Sequence, residues 1–280
     1  MTINRDRLKS GLVQTIIYAI LFVGALWAVF PFAWMVLTSL KGYAEASAAE
    51  NFLPTRWLFS NYADAWNQVE YFPRYFANTI FMACATVAGV LTTSTLAAYA
   101  FARMRFPGRD TLFIVLLATM MVPFEVTLVP NFIVIRNLQW SDHYEALIIP
   151  WIASAFSIFL LRQFFRAIPQ ELHDAAVMDG CTHLRFLASI VLPLSRPALI
   201  TSGLFTFLAS WNSLMWPLLV TNRPEMRPIQ VAMATFIGDA GTQIQLLLAA
   251  VTISVIPVII VYLILQRWFI EGIATVGIRG

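Results

Sequence analysis

Of the chain's 280 residues, 59% are hydrophobic and only 12% are charged, roughly half the charged share of a soluble domain. A water-soluble core cannot use that much apolar surface, and a net charge of +3 without a basic stripe excludes nucleic acid as a partner. Two cysteines, Cys84 and Cys181, give neither a disulfide framework nor a tetrahedral metal site.

A spanning helix needs about 20 apolar residues, and six windows reach or approach that length: 11–40, 76–102, 112–134, 146–165, 198–220 and 244–266. They predict an all-α fold, an integral membrane bundle of six transmembrane helices in a single domain, 1–280. The first window is too long for a signal-peptide core and no small-residue cleavage site follows it, so it is expected to remain as a span. Of the 18 Lys and Arg, twelve fall on the side that holds both termini and six on the other. The excess predicts cytoplasmic termini.

After the first span, the loop from Lys41 to Tyr75 is rich in aromatics, among them Phe52, Trp57, Phe59, Tyr62 and Phe72. This suits first a segment lying against lipid headgroups, with a docking surface for an external protein as the sharper alternative. Pro31, Pro123, Pro130, Pro150, Pro217 and Pro257 lie inside or beside spans; neighbouring helices satisfy the freed backbone groups, so kinks are expected and the spans survive. The third span holds Glu125, the one acid inside any span, about 22 Å from Asp110 at the helical rise. A single peripheral acid makes a poor relay for the main rival reading, an ion-coupled secondary transporter.

Between spans four and five, residues 166–196 form the most informative loop. Pro169 suits a first helical turn and Gly180 a left-handed C-terminal cap, bracketing about three turns. Glu171 and Asp174 fall early, where the helix dipole favours acids. Thr182 can cap a second helix with Leu184, Leu187 and Val191 on one stripe. The result is a helix-turn-helix elbow, which from its pattern alone serves equally as a rigid lever or as an ordinary interfacial loop. Small residues Ala175 and Ala176 leave one face open to close approach.

Catalytic signals are weak. His143, His173 and His183 do not form a metal triad, and no nucleophile, base and acid fall together. No phosphate-binding G-x-x-x-x-G-K-[ST] run exists, and the only lysines, Lys9 and Lys41, lack the preceding glycine.

The run Asp174-Ala175-Ala176-x-x-Asp179-Gly180, followed by Ile190-x-Leu192-Pro193, resembles the EAA motif of ABC-importer permeases, with Asp174 where the family usually has Glu. The segments from Ala98 to Gly108, Val122 to Pro130 and Ser210 to Pro217 are similar to the maltose-type sugar permeases, and Gly277 to Gly280 looks like the cytoplasmic tail of the shorter, six-span partner of that permease pair. The resemblance implies a coupling helix that sits in an ATPase cleft, with Asp174, Ala175, Ala176, Asp179 and Gly180 as the coupling residues. It further implies a second homologous permease, two copies of an ABC ATPase that bind ATP and Mg, and an external sugar-binding protein, periplasmic or lipid-anchored. No cofactor is expected on this chain, and the cargo implied is a sugar, a glycerol phosphate or a glycosylated solute. Sugars need hydroxyl-matched groups and aromatic faces, so the candidates for the substrate path are Glu125, Thr127, Ser154, Ser157, Ser210, Trp211, Asn212 and Ser213, although polar residues in spans more often hydrogen-bond a neighbouring helix.

Overall fold

The computed structural model describes residues 3–48, 51–68, 70–235 and 243–277. Their regular structure is all helix, with no strand among the described residues. Two units emerge by contact: 1–70 with 236–255, and 71–235 with 256–280.

In the first unit α1, Ile3–Ser39, runs unbroken through Pro31. Its apolar stretch from Val13 onward is exposed within the chain, as lipid-facing helices are. The aromatic loop folds back on the end of α1 through α2, Tyr43–Ala48, and α3, Ser60–Gln68. Asn61 Nδ2 donates to the carbonyls of Ser39 (2.7 Å) and Lys41 (2.8 Å), while Ser39 Oγ pairs with the Tyr62 hydroxyl at 2.8 Å. Lys41 is fully buried; its ammonium donates to the Asn51 carbonyl and lies 4.8 Å from the centre of the Trp34 ring. Phe52 stacks on Phe30 with centroids 5.9 Å apart. Trp57 and Phe59 remain outward, so the loop is both folded and aromatic at its surface.

The second unit is organised by α4, Phe72–Arg103, which is entered through Pro73 and then crosses thirty residues without another proline. After it, α5, Arg109–Thr119, and α6, Phe124–Asn137, meet at 97°. Pro123 causes that break: it lacks an N–H and drives Val122 out of the helical region. The kink expected in the window 112–134 is therefore a sharp break. α7, Tyr144–Ile148, continued by a tight turn to Trp151, meets α8, Ala155–Ala167, at 42°.

The elbow follows as α9, Gln170–Met178, then α10, His183–Phe186, which runs through a wide π-turn (Leu187–Val191) into α11, Leu192–Leu194. The wide turn precedes Pro193, whose ring would clash with the carbonyl four residues back in a regular helix. α12, Arg196–Trp211, turns off at 82°. α13, Met215–Val220, is separate from α12, so the window 198–220 is two helices broken at Asn212 to Leu214. α14, Ile229–Thr235, precedes α15, Ile244–Gly277, which continues eleven residues past the expected 266 and through Pro257. Residues 278–280 of the expected tail lie outside the described residues.

α4 packs on α8 and α12. At its first turns, Asn78 Nδ2 donates to the carbonyls of Glu225 (2.8 Å) and Arg227 (3.1 Å), and Asn78 Oδ1 accepts from the Tyr144 hydroxyl at 2.6 Å. At its middle, Gly89 meets Ile152: a Cβ there would lie 2.6 Å from Ile152 Cγ2 and 2.9 Å from its Cβ. Thr93 Oγ1 donates to the Ile152 carbonyl in the same contact.

Gly89→Ala should therefore destabilise this unit by about 1–3 kcal/mol, the usual cost of overpacking. Thermal unfolding in detergent should show a lower midpoint, partly restored by Ile152→Ala in the same chain. An unchanged midpoint in the single variant would mean that the contact gives way freely.

Candidate functional site

The elbow is held by its caps. Asp179 ends α9, Gly180 takes φ +72°, and the N–H groups of Gly180 and Cys181 donate to the carbonyls of Val177 (3.0 Å) and Ala176 (2.8 Å). That pair is the Schellman arrangement, which places its left-handed residue where glycine has no Cβ to strain. Thr182 Oγ1 accepts from the Arg185 N–H at 3.4 Å and starts α10. Pro169 stands one position ahead of the first helical residue. Of the expected stripe, Leu187 and Val191 are buried but Leu184 is 69% exposed; the π-turn shifts the helical phase, and Phe186 takes the inward position.

The inner side of the elbow belongs to the core formed by the ends of α4 and α8: Ala176, Phe186, Leu187 and Val191 pack with Ala98, Tyr99, Leu161 and Phe165. Over this core lies a polar network. Arg103, the last residue of α4, donates from Nε and Nη2 to the Phe165 carbonyl (3.1 and 2.7 Å), from Nη2 to the Ile168 carbonyl, and from Nη1 to Gln170 Oε1 at 3.0 Å. Gln170 Nε2 then donates to Asp174 Oδ1 at 3.0 Å. One turn before Arg103, the Tyr99 hydroxyl lies 2.9 Å from His183 Nδ1, and the His183 and His173 rings are 5.9 Å apart. Arg103 so occupies carbonyls that the end of α8 leaves without helical partners. Nearby, the buried Arg162 lies 3.8 Å from the Phe113 ring centre and 3.6 Å from Asp110, pinning α5 to α8.

The outer side of the elbow is bare. Asp174, Ala175, Asp179 and Gly180 are exposed, whereas Ala176 is buried. Beside them Val177 is 55% and Met178 88% exposed. Four of the five expected coupling residues thus share one open surface, and the fifth faces the core.

A cavity of about 760 Å³ opens between α4, α8, α12 and α13. Ser154, Ser157, Ser210 and Ser213 line it together. Ser154 caps α8, its Oγ accepting from the Ser157 N–H at 3.2 Å. Aromatic walls come from Phe124, Trp151 and Trp216, with Trp151 edge-on to both neighbours at 5.4 and 5.7 Å. Trp216 Nε1 donates to the Ala146 carbonyl at 2.8 Å. The other expected residues lie elsewhere: Glu125 is exposed in the first turn of α6, and Thr127 Oγ1 donates to the Phe124 carbonyl. Trp211 is buried against Phe76 and Phe207, and Asn212 donates to the Leu208 carbonyl at the end of α12. Sequence reasoning passed over Thr86, Thr206, Trp151 and Trp216 on the wall. The spacing of Met82, Thr86 and Val90, one turn apart on α4, was the available signal.

Residues 86–275 match the family described as the binding-protein-dependent transport system inner membrane component. The chain belongs to that family. It is 35% identical over 264 residues to the sn-glycerol-3-phosphate transport system permease protein UgpE of Pectobacterium atrosepticum, covering 91% of this chain and 94% of the relative. It is 31% identical to the arabinooligosaccharides transport system permease protein AraQ of Halalkalibacterium halodurans, covering 90% and 92%. A crystal structure of a bacterial ABC transporter that imports the acidic polysaccharide alginate contains a chain of the same fold, with TM-score 0.83, 29% identity and coverage of 93% and 98%. The protein is a membrane-embedded permease subunit of an ABC importer, and importers of this family work with an ATPase and a binding protein.

In this permease Arg103→Ala should loosen the elbow while sparing α12. Amide hydrogen exchange over residues 165–182 should report an opening free energy lower by about 2 kcal/mol, the scale of charge-assisted bonds to carbonyls. Unaltered exchange there would show the core alone holding the elbow.

Proposed function

We propose that this chain is the six-span partner of a permease pair that imports a sugar, with both termini in the cytoplasm and the elbow, Pro169 to Leu194, seated in a cleft of an ATPase subunit. The observation that carries this reading is the two-sided elbow. Its inner side is fastened to α4 by packing and by Arg103, while its outer side offers Asp174, Ala175, Asp179 and Gly180 beside the uncovered Met178. An apolar side chain that open on a rigid lever fits a surface that another protein covers. ATP and Mg are then bound by two partner ATPase copies, with no cofactor on this chain. An external binding protein delivers the cargo, and a second permease of the same family completes the pathway.

Closure of the ATPases would displace the elbow, and α4 would carry the displacement to the cavity wall, where it contributes Met82, Thr86 and Val90. The transport cycle is a two-state equilibrium between inward-open and outward-open forms, biased by whichever ligand binds one form better. The serines at positions 154, 157, 210 and 213 are assigned to the substrate path. Oligosaccharide and polysaccharide cargo in the names of two similar proteins supports a sugar.

Gly180→Val tests the lever. Nothing of this chain stands within 4 Å of a Cβ at Gly180, so within the chain the substitution acts through backbone strain of about 1–2 kcal/mol. Insertion into the membrane should persist, ATP-dependent uptake should fall at least tenfold, and ATP hydrolysis by the assembled complex should continue. Full uptake by this variant would remove Gly180 from the coupling mechanism. Asp174→Lys should reduce co-purification of the ATPase from gently solubilised membranes, and undiminished recovery would place the docking contact elsewhere.

A further inference from the structure

Thr86 carries an unanswered hydroxyl. It is 3% exposed, stands on the cavity wall, and its Oγ1 has no hydrogen-bond partner. Buried Thr79, Thr201 and Thr221 return the proton to the carbonyl four residues back, at Tyr75, Pro197 and Pro217; buried Thr38 shares the unanswered state of Thr86 but stands off the cavity wall. A buried hydroxyl without a partner costs stability, and within a transport cavity a passing ligand can supply what is missing.

The rest of the wall is largely apolar, with Met82, Val90, Leu147 and Phe205 among its residues, and its polar groups are uncharged. Ser157, Thr206, Ser210 and Ser213 bring further hydroxyls, Trp151 and Trp216 bring ring faces, and no Lys or Arg lines the cavity among the described residues. Hydroxyls both donate and accept, which matches the hydroxyls of a sugar ring, while aromatic faces suit its C–H surfaces. A phosphate or uronate group only accepts and brings a full charge. Its strongest available counterweight is the start of α8, worth roughly half a unit charge and already using Ser154 to satisfy the Ser157 N–H. On this chain's side of the pathway an ion is left underpaired.

We propose that this cavity receives an uncharged, hydroxyl-rich sugar unit, and that Thr86 is its hydrogen-bonding contact from α4. The inference rests on the importer reading and selects, among its cargo classes, neutral saccharides over glycerol phosphates and acidic oligosaccharides. It also gives α4 a direct part in the cycle, because the helix that carries Thr86 ends at the elbow latch on Arg103.

The test uses the complete importer, with its partner subunits and binding protein, in proteoliposomes. Uptake is measured for a panel of labelled neutral di- and trisaccharides, sn-glycerol 3-phosphate and an alginate trisaccharide. ATP-dependent uptake of a neutral sugar and of neither anion is the expected result. With that sugar, Thr86→Val should lower kcat/KM about fivefold, the scale of one lost hydrogen bond, while leaving the melting temperature of the complex equal or higher. Thr86→Ser should restore uptake. Anion uptake with the neutral sugars inert would overturn the cargo class and leave the importer reading standing. Full activity of Thr86→Val would overturn the contact, and absence of ATP-dependent uptake across the whole panel would overturn the importer reading and this inference with it.

Discussion

A backbone inside hydrocarbon must satisfy its own N–H and C=O groups, because no water is there to do so. Bends of 97°, 42° and 82° nevertheless interrupt pairs of helices in this permease, and side chains take up part of what such breaks set free. Around the 42° bend, Thr93 takes the Ile152 carbonyl, Ser154 takes the Ser157 N–H and Trp216 takes the Ala146 carbonyl. At the end of α12, Asn212 returns to the Leu208 carbonyl. Polar residues on these apolar helices thus serve the backbone first, and the cavity is built where that service leaves hydroxyls over.

This division explains what could be read from the sequence. Hydrophobic runs reported the helices, since crossing a membrane demands length and apolarity, and the elbow was legible because its stops are local: Gly180 needs positive φ and Thr182 needs only its own next turn. The breaks were less legible. Pro123 and Pro257 look alike in sequence, yet one forms a right-angle corner and the other sits inside a continuous helix; tertiary packing decides between them. The cavity was half legible for the same reason. Thr127 and Ser157 are both hydroxyl residues in an apolar span, and only the assembled bundle shows that one answers its own helix while the other lines a cavity.

The elbow and the cavity meet through α4. Tyr99 and Arg103 hold α9 and α10 at one end, and Met82, Thr86 and Val90 wall the cavity farther along the same uninterrupted helix. Close packing lets such a helix move as a body. The contact of Gly89 with Ile152 brings α4 tightly against the bend ahead of α8, so these elements shift together or not at all.

An unbroken helix also fixes an angular phase between its two ends. Each residue turns the chain by about 100°, so one residue inserted between Thr86 and Arg103 would swing one end well away from its partners while leaving the composition and hydropathy of the span intact. Substitutions along this stretch alter packing by degrees, whereas insertions and deletions break the registration outright. Across a lineage of such permeases, this segment is expected to drift in sequence while keeping its length.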